Sequence, residues 1–298
     1  MVPKYLTSVL FSMVLWVVAG FPGPREISIT VEAAEPGRVM SVMTYNLRYA
    51  SAKPPNSWPE RRPVMKALLR EHSPDVIGTQ EGVYAQLKDL LSDLPEYDWV
   101  GLGRDGGSRG EFMAVLFKRD RFEPLEFDHY WLSDTPLIMG STTWGNTNRR
   151  MVTWVLFKDK ADGRRFYFIN THFDHQIQAA REKSARMVLE RAKLLPEKVP
   201  TLLVGDFNAE AKANPAYDIL VGDQSFEDSW YAAAQRRNED SNSFNNFDLN
   251  APRQGKRIDW ILFRGKVLVE MSEVIDFSQK GQLPSDHNAI VARIRFGD

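Results

Sequence analysis

Gly205-Asp206-Phe207-Asn208 and, near the C-terminus, Ser285-Asp286-His287 are the stretches that most constrain the fold and chemistry of this chain. Each sets a carboxylate beside a residue that can bind a phosphate or move a proton. Mg²⁺ and Mn²⁺ prefer oxygen ligands such as carboxylates, and an imidazole exchanges a proton near neutral pH. Together the two stretches predict hydrolysis of a phosphate ester.

Four further motifs place a polar residue able to bind a metal ion or a phosphate at or just beyond the end of a predicted strand. They are Thr44-Tyr45-Asn46, Thr79-Gln80-Glu81, Asn170-Thr171-His172-Phe173-Asp174 and Arg257-Ile258-Asp259. Any one of them alone is weak, since Asn often forms turns and Glu often caps helices. Their repetition along the chain predicts a single site assembled from several strand ends.

Short runs rich in Val, Ile and Phe alternate with helical patterns, and many runs are apolar enough to be buried on both faces. The predicted strands are Val39–Tyr45, Val76–Thr79, Phe112–Phe117, Met151–Phe157, Phe166–Asn170, Thr201–Val204, Ile258–Phe263 and Ala289–Arg295. Strands and helices mixed without strict alternation favour an α/β (α+β) fold in which two packed sheets are flanked by helices.

Two helices are predicted, at Gln176–Leu195 and Pro63–Glu71. Ser57 and Glu60 have the spacing of a capping box, but Pro63 would then lie inside the helix, so its start is predicted near Arg62. The polar, Asn-rich segment Arg237–Gln254 is predicted to be a surface loop that carries specificity.

The N-terminal segment, residues 1–35, differs from the rest of the chain. A weakly basic start precedes a run from Tyr5 to Phe21 that is nearly all apolar, and small residues follow. This pattern predicts a removed signal peptide and a secreted or periplasmic protein, with a retained N-terminal anchor as the alternative. A membrane span needs about 20 apolar residues, and Gly20 and Pro22 end this run early. Residues 36–298 are predicted to form one domain.

Composition excludes several classes of protein. The chain of 298 residues has no cysteine, so it has neither disulfides nor thiolate metal ligands. Its 38 basic and 39 acidic side chains give a net charge of −1, whereas proteins that bind nucleic acid without sequence preference usually present a basic face. Local pairs such as Arg149-Arg150 and Lys256-Arg257 permit a phosphate-binding mouth.

The six motifs, in this order, resemble those of the endonuclease/exonuclease/phosphatase superfamily, which includes DNase I-like nucleases, deadenylases, sphingomyelinases and inositol-polyphosphate phosphatases. The resemblance covers about residues 38–297. It implies a DNase I-like four-layer sandwich of two mixed sheets flanked by helices. It also implies an enzyme that depends on Mg²⁺ or Mn²⁺ and attacks phosphorus in line with an activated water.

The resemblance assigns a role to each matching position. It implies that Glu81, Asn46 and Asp286 place the metal ion, that Asp206 activates water, and that the remaining polar residues act on the phosphate or on each other. These are Asn208 and His172, which bind phosphoryl oxygens, His287, which is oriented by Asp259, and Glu111, which is paired with His172. His175 has no counterpart in the family.

The substrate is less constrained than the chemistry. Trp58, Trp144, Arg149 and Arg150 lie in segments where an aromatic ring and a guanidinium could bind a base or a sugar. The expected partner is a phosphate ester: a nucleic acid, a sugar phosphate or a glycan phosphodiester. No protein partner is predicted, and membrane contact only if the N-terminal segment is kept. The alternatives are a secreted nuclease and a non-catalytic binding protein on the same fold.

Overall fold

Two large mixed β-sheets face each other in the computed structural model of the protein, which describes residues 37–297 apart from the side chain of Gln224. The predicted signal segment, residues 1–35, lies outside the described residues. Within the described part of the chain, none of the helices is long and apolar enough to cross a bilayer.

The first sheet has seven strands and the second has six. In sheet order, the first contains β12 (Gln235–Arg237), β14 (Val267–Ile275), β15 (Ala289–Phe296), β1 (Met40–Asn46), β2 (Val76–Gln80), β6 (Val115–Lys118) and β4 (Tyr97–Val100). The second contains β11 (Glu227–Asp228), β13 (Asp259–Arg264), β10 (Thr201–Asp206), β9 (Arg165–His172), β8 (Met151–Asp159) and β7 (Phe122–Trp131). A short pair, β3 (Gly82–Val83) and β5 (Glu111–Phe112), lies apart from both sheets.

Helices cover the outer faces of both sheets, except for a one-turn helix whose Trp230 belongs to the apolar layer between the sheets. They are α1 (Trp58–His72), α2 (Tyr84–Asp93), α3 (Gln178–Lys193), α4 (Pro215–Val221), the one-turn α5 (Ser229–Ala232) and a 3₁₀ turn at Gly222–Gln224. Apolar side chains of α1 and α2 pack on the first sheet, those of α3 and α4 pack on the second, and a third apolar layer fills the space between the sheets. The predicted four-layer sandwich is therefore confirmed.

The strand register brings the polar strand ends together. β1 runs parallel to β2 with Asn46 opposite Gln80. In the second sheet, β10 runs parallel to β9 and antiparallel to β13, so that Asp206 lies between His172 and Asp259. The carboxyl ends of four strands and the beginning of β13 thus meet at one edge of the sandwich.

Buried polar side chains join the two sheets just beneath this edge. The Gln80 amide donates to Oδ1 of Asn170 across the sheets at 2.7 Å, and the Asn170 amide donates to the carbonyl of Thr79 at 2.8 Å. Gly78 lets the sheets approach, because a Cβ at this position would lie 2.3 Å from Cγ2 of Val204. These contacts fix the position of the two sheets relative to each other beneath the site.

Several predicted boundaries need correction. The helix predicted near Arg62 begins at Trp58, and the Glu60 carboxylate accepts a hydrogen bond from the Ser57 backbone N–H at 2.8 Å. Pro63 therefore lies inside the helix, in its second turn, where it cannot donate the backbone hydrogen bond of that position. The strand predicted at Phe112–Phe117 is split between β5 and β6, and β4, β7 and β14 were missed.

Candidate active site

Eight of the predicted site residues line one cavity of about 390 Å³ at the shared strand edge. They are Glu81, Glu111, Arg150, His172, Asp206, Asn208, Asp286 and His287. Asn46 and Asp259 lie directly behind them, within hydrogen-bond distance of Asp206 and His287 respectively. The structure therefore brings together ten side chains from across the described chain.

His287 lies between two buried carboxylates. Its Nδ1 is 2.9 Å from Oδ2 of Asp259, and its Nε2 is 3.7 Å from Oδ2 of Asp206. Burial alone would lower the pKa of His287, but the Asp259 and Asp206 charges outweigh it and raise the pKa to about 10. The imidazole is therefore a cation at neutral pH, with its Nε2–H directed toward Asp206.

Asp206 is almost fully buried and surrounded by donors. Its Oδ2 accepts from Nδ2 of Asn46 at 3.0 Å, and its Oδ1 accepts from the backbone N–H of Asn208 at 2.9 Å. Burial, together with the nearby Asp259 charge, raises the pKa of Asp206 to about 7, and its contacts with His287, Asn208 and Asn46 only partly offset this. A carboxylate with this pKa can take a proton from water near neutral pH.

His172 is buried and electrically neutral. Burial and the positive charge of Arg150 lower its pKa well below the usual value. Its Nε2 lies 3.0 Å from Nδ2 of Asn208 and 3.3 Å from Oδ2 of Asp206, while Nδ1 has no partner among the described residues. The predicted pairing with Glu111 is wrong, because Glu111 instead binds Nη1 of Arg104 at 2.6 Å.

Glu81 and Asp286 form the group best suited to a divalent cation. Both line the cavity, and Arg48 approaches both carboxylates at 3.6 Å and 3.5 Å. Burial and the Glu81 charge raise the pKa of Asp286 despite the nearby cations His287, Arg48 and Arg61. Oxygen ligands of this kind match Mg²⁺ or Mn²⁺. Glu81 has a left-handed backbone (φ 60°), which is unusual for Glu and sets its direction into the cavity.

Asn46 orients the carboxylates of Glu81 and Asp206 through hydrogen bonds. Its Oδ1 accepts from the backbone N–H of Arg48 at 2.9 Å, and its Nδ2 donates to Glu81 at 3.1 Å and to Asp206.

A second acidic group, Asp206 with Asp259 and His287, has ligand atoms within 4.8 Å of one another. Because Asp259 already binds His287, we interpret this second group as a proton relay.

Arg150 is the buried cation of the cavity wall. Its side chain is only 4% exposed, and its Nη2 lies 3.1 Å from Nδ1 of His175. Its Nε and Nη1 have no hydrogen-bond partner among the described residues, and the Asp174 carboxylate stays 3.8 Å away. A buried guanidinium with free N–H groups is a ready ligand for phosphate oxygens.

The other predicted substrate-binding residues do not reach the cavity. The assignment of Trp58 is corrected, because its indole is buried on α1 and donates to Asp89 at 2.8 Å. Trp144 donates to Asp134 at 2.7 Å and packs beside α3. Arg149 is bound to Asp105 at 3.0 Å on the surface. In each case an internal partner, which sequence alone does not reveal, turns the side chain away.

Seven cavity residues were not predicted from the sequence as site residues: Arg48, Tyr49, Arg104, Asn148, His175, Phe244 and Asn246. Arg48 follows the motif that ends at Asn46 by two positions, and His175 directly follows the motif that ends at Asp174, so proximity to a motif was the available signal. Arg104 and Asn148 lie in irregular segments with no motif of their own.

Comparison with known proteins agrees with this geometry. The family model described as "Endonuclease/Exonuclease/phosphatase family" matches residues 43–287. The chain therefore belongs to the endonuclease/exonuclease/phosphatase family, whose members hydrolyse phosphate esters.

Two solved structures from Bacteroides thetaiotaomicron are similar over most of the chain. One, a member of this family, has 33% identity and a TM-score of 0.82 and covers 88% of this chain and 99% of its own. The other, described as a mannosyl-6-phosphatase, has 34% identity and a TM-score of 0.81 and covers 86% and 100%.

More distant matches share less. The structure of zebrafish (D. rerio) TDP2 with single-stranded DNA product has 18% identity and a TM-score of 0.67 over 86% of this chain and 98% of its own, so the likeness is one of fold. An uncharacterised protein of Acanthamoeba polyphaga mimivirus is 27% identical over 52% of this chain, and the match spans only 60% of that protein's length.

Proposed function

We propose that the protein is a divalent-metal-dependent phosphatase whose substrate is a phosphomonoester of a small polar molecule, foremost a sugar phosphate. One observation carries this proposal: three guanidiniums, those of Arg48, Arg104 and Arg150, line a cavity of about 390 Å³. This volume lies at the small end of the range of ligand sites. Arg48 and Arg104 are paired with carboxylates, whereas Nε and Nη1 of Arg150 have no hydrogen-bond partner among the described residues. A terminal phosphate carries up to two negative charges, which suit this buried cation better than the single charge of a diester.

The surface around the cavity argues against a nuclease. The basic side chains that could extend a positive groove are engaged by carboxylates: Arg149 by Asp105, Lys256 by Glu210, Arg253 by Asp240 and Asp276, and Arg236 by Glu239. Binding to a nucleic acid backbone relies on cations that are free to contact successive phosphates. These ion pairs make an extended phosphate track unfavourable.

The residues of the cavity divide the chemistry between them. Asp206 accepts the proton of the attacking water, and the charged His287 stabilises the carboxylate until then. Arg150 donates hydrogen bonds to the non-bridging phosphoryl oxygens, and Asn208 and His172 lie beside them in the cavity wall, so the developing charge meets a donor already in place. When bound by Glu81 and Asp286, a divalent cation supplies further neutralisation of charge on the phosphate and the leaving oxygen.

The comparisons support the substrate class. The mannosyl-6-phosphatase of Bacteroides thetaiotaomicron is 34% identical to this chain over its full length, and that protein is described as acting on a sugar phosphate. Its likeness and the confined cavity point in the same direction, toward a phosphomonoester on a polar leaving group.

Hydrolysis of three substrates by the purified protein tests the proposal. Mannose 6-phosphate, bis-p-nitrophenyl phosphate and single-stranded DNA are assayed with Mg²⁺ or Mn²⁺ and with chelator. We expect metal-dependent release of phosphate from mannose 6-phosphate, which Glu81→Ala abolishes. Glu210→Ala is the matched control, because Glu210 is half-exposed and binds only Lys256 at 3.9 Å, and it should keep wild-type activity.

Two outcomes would contradict the proposal. Cleavage of DNA at a rate above that of the sugar phosphate would favour the secreted nuclease. Binding of mannose 6-phosphate without turnover of any phosphate ester in either metal would favour the non-catalytic binding protein.

We also propose that the protein is exported. The support is the apolar run from Tyr5 to Phe21 followed by small residues. The full chain, expressed in a Gram-negative host, should appear in the periplasm or the medium with a shortened N-terminus. N-terminal sequencing of the fractionated protein decides the question, and full-length protein confined to the cytoplasm would overturn it.

A further inference from the structure

The Asp259–His287 pair joins two sheets that share no strand pairing at this point. Asp259 begins β13 in the second sheet, and His287 precedes β15 in the first. Their hydrogen bond of 2.9 Å therefore depends on how the sheets lie relative to each other. Hydrogen bonds weaken steeply with distance and angle, so a small slide of one sheet would separate the pair.

One residue of the Asn-rich segment is tied to both chain stretches. Ser243 is fully buried, and its Oγ accepts hydrogen bonds from the backbone N–H groups of Ile258 at 2.8 Å and Asp259 at 3.2 Å. Its carbonyl accepts from the backbone N–H of Asn288 at 2.7 Å. Ser243 thus holds the residue that follows His287 and the residue that orients its ring.

The next residues of the same segment reinforce this link. The backbone N–H groups of Asn245 and Asn246 both donate to the carbonyl of Asp286, at 2.8 Å and 3.0 Å. The ring of Phe244 packs edge-on against the His287 imidazole, with centroids 5.0 Å apart. We call residues 243–246 the brace.

We propose that Ser243 is a positioning residue for catalysis: through the brace it holds Asp259 and His287 in register across the two sheets. The side chain does not touch the cavity, so it acts through the pair and not on the substrate. Ser243 thereby has a role in catalysis within a segment that the sequence predicts to be a surface loop that carries specificity.

A double-mutant cycle separates positioning from general packing. We expect Ser243→Ala to lower kcat about tenfold or more while KM stays within about twofold, because the oriented imidazole matters in the transition state. In an Asp259→Ala background the same substitution should change kcat by less than about twofold, since the pair is already broken. Ser272→Ala is the matched control: Ser272 is also fully buried, and its hydroxyl has no partner among the described residues.

A second measurement does not need activity. The proton on Nδ1 of His287, bonded to a buried carboxylate, should give a low-field ¹H NMR signal that Asp259→Ala removes. Ser243→Ala should shift or broaden this signal, and Ser272→Ala should leave it in place. The kinetic arm rests on the proposed phosphatase function, whereas the NMR arm does not, so failure of one is distinguishable from failure of the other.

Three results would overturn the proposal. They are an unchanged kcat and NMR signal in folded Ser243→Ala, an equal loss of kcat with and without Asp259, and an equal effect of Ser272→Ala. If Ser243→Ala does not fold, Ser243→Cys keeps a similar volume with a weaker acceptor and is assessed in the same way.

Discussion

His287 owes its positive charge to two neighbours rather than to solvent. Only 5% of the residue is exposed, and without Asp259 and Asp206 burial would leave the imidazole neutral. The positive charge in turn allows Asp206 to remain ionised in a site that disfavours anions. The two residues therefore titrate together, and each charge stabilises the other.

Because the two charges stabilise each other, we expect the free energy of unfolding to depend on pH. The folded pKa of His287, about 10, lies above the unfolded value of about 6.5. Its charge therefore contributes fully below about pH 6.5, and the contribution is lost as the pH rises through 10. Urea unfolding of wild type and His287→Gln in chelator should show a difference in free energy that shrinks as the pH rises between these two pKa values. A pH-independent difference would contradict the assigned charge.

Asp206 is expected to be indispensable for turnover. Asp206→Asn keeps the shape and the hydrogen bond from Asn46 but cannot accept a proton from water. We expect kcat to fall by about 10³-fold, within the range for loss of a general base, with little change in circular dichroism. Asp120→Asn, at an exposed position, is the control. Turnover within tenfold of wild type would remove Asp206 from this role.

Arg150 and Arg149 are adjacent in sequence but should differ in function. Arg150→Gln removes the buried guanidinium whose Nε and Nη1 have no hydrogen-bond partner within residues 37–297, and a charge-assisted hydrogen bond contributes about 1.5–3 kcal/mol. We expect KM for a sugar phosphate to rise roughly tenfold or more. Arg149→Gln removes a surface ion pair with Asp105 and a hydrogen bond to the Gly140 carbonyl, both outside the cavity, and should leave KM near wild type. Steady-state kinetics of both variants decides the matter, and equal effects would contradict the assignment.

Sequence alone predicted the site residues at the strand ends, because a buried strand that can be recognised fixes the backbone position of the residue at its end. Partner choice was harder to predict. Glu111 was assigned to His172 and instead binds Arg104, and Trp58 packs inside the protein. Which of two nearby partners a side chain selects depends on tertiary geometry that a single sequence does not contain.

At the level of elements, α1 supports the site from outside the sheet. Its Arg61 is fully buried and donates to the backbone carbonyls of Leu47, Arg48, Tyr49, Asn56 and Pro284. These carbonyls belong to the turn after β1 and to the residue just before Ser285-Asp286-His287. A single side chain thus fixes the two turns that carry Arg48 and Asp286.

This arrangement predicts a large effect of a conservative change. Arg61→Lys keeps the charge but loses the planar fork, leaving several buried carbonyls unpaired, and should lower the free energy of unfolding by roughly 2–4 kcal/mol. Arg62→Lys is the matched control, since Arg62 binds Asp89 and Asp93 near the surface and should change stability by less than about 1 kcal/mol. Chemical denaturation of both measures this, and equal losses would refute it.

The strands that sequence missed share a physical reason. β7 and β14 are long, but most residues along them are only partly buried, so their apolar runs are interrupted. β4 is a short strand at the edge of the first sheet. Central strands are apolar on both faces and stand out, whereas half-exposed and edge strands are recognised only once a neighbour is known.

For the whole molecule, binding of a cation should be measurable as stability. Glu81 and Asp286 both line the cavity, and burial and the Glu81 charge raise the pKa of Asp286. A ligand that binds only the folded state raises its stability by mass action. We expect millimolar Mg²⁺ or Mn²⁺ to raise the midpoint of thermal unfolding of wild type but not of Glu81→Ala. The same rise in Glu210→Ala serves as the control, and an equal rise in Glu81→Ala would place the cation elsewhere.

The layered architecture was predictable because it follows from the mixture of buried strands with amphipathic helices and from the order of the motifs. The alignment of the two sheets was not. It depends on Gly78 and on the Gln80–Asn170 contact, which involve residues 90 or more positions apart in the chain. It also depends on the brace, which comes from a loop without periodicity.

The exposed turn at residues 160–163, between β8 and β9, divides the chain into two parts, neither of which contains all of the proposed site residues. Asn46, Glu81 and Arg150 precede it, and His172, Asp206, Asp259, Asp286 and His287 follow it. Since β15 pairs with β1 at the centre of the first sheet, neither half can form its own sheets. A chain cut at this turn would make a split reporter, whose two fragments, fused to interacting partners, regain turnover only when they reassemble.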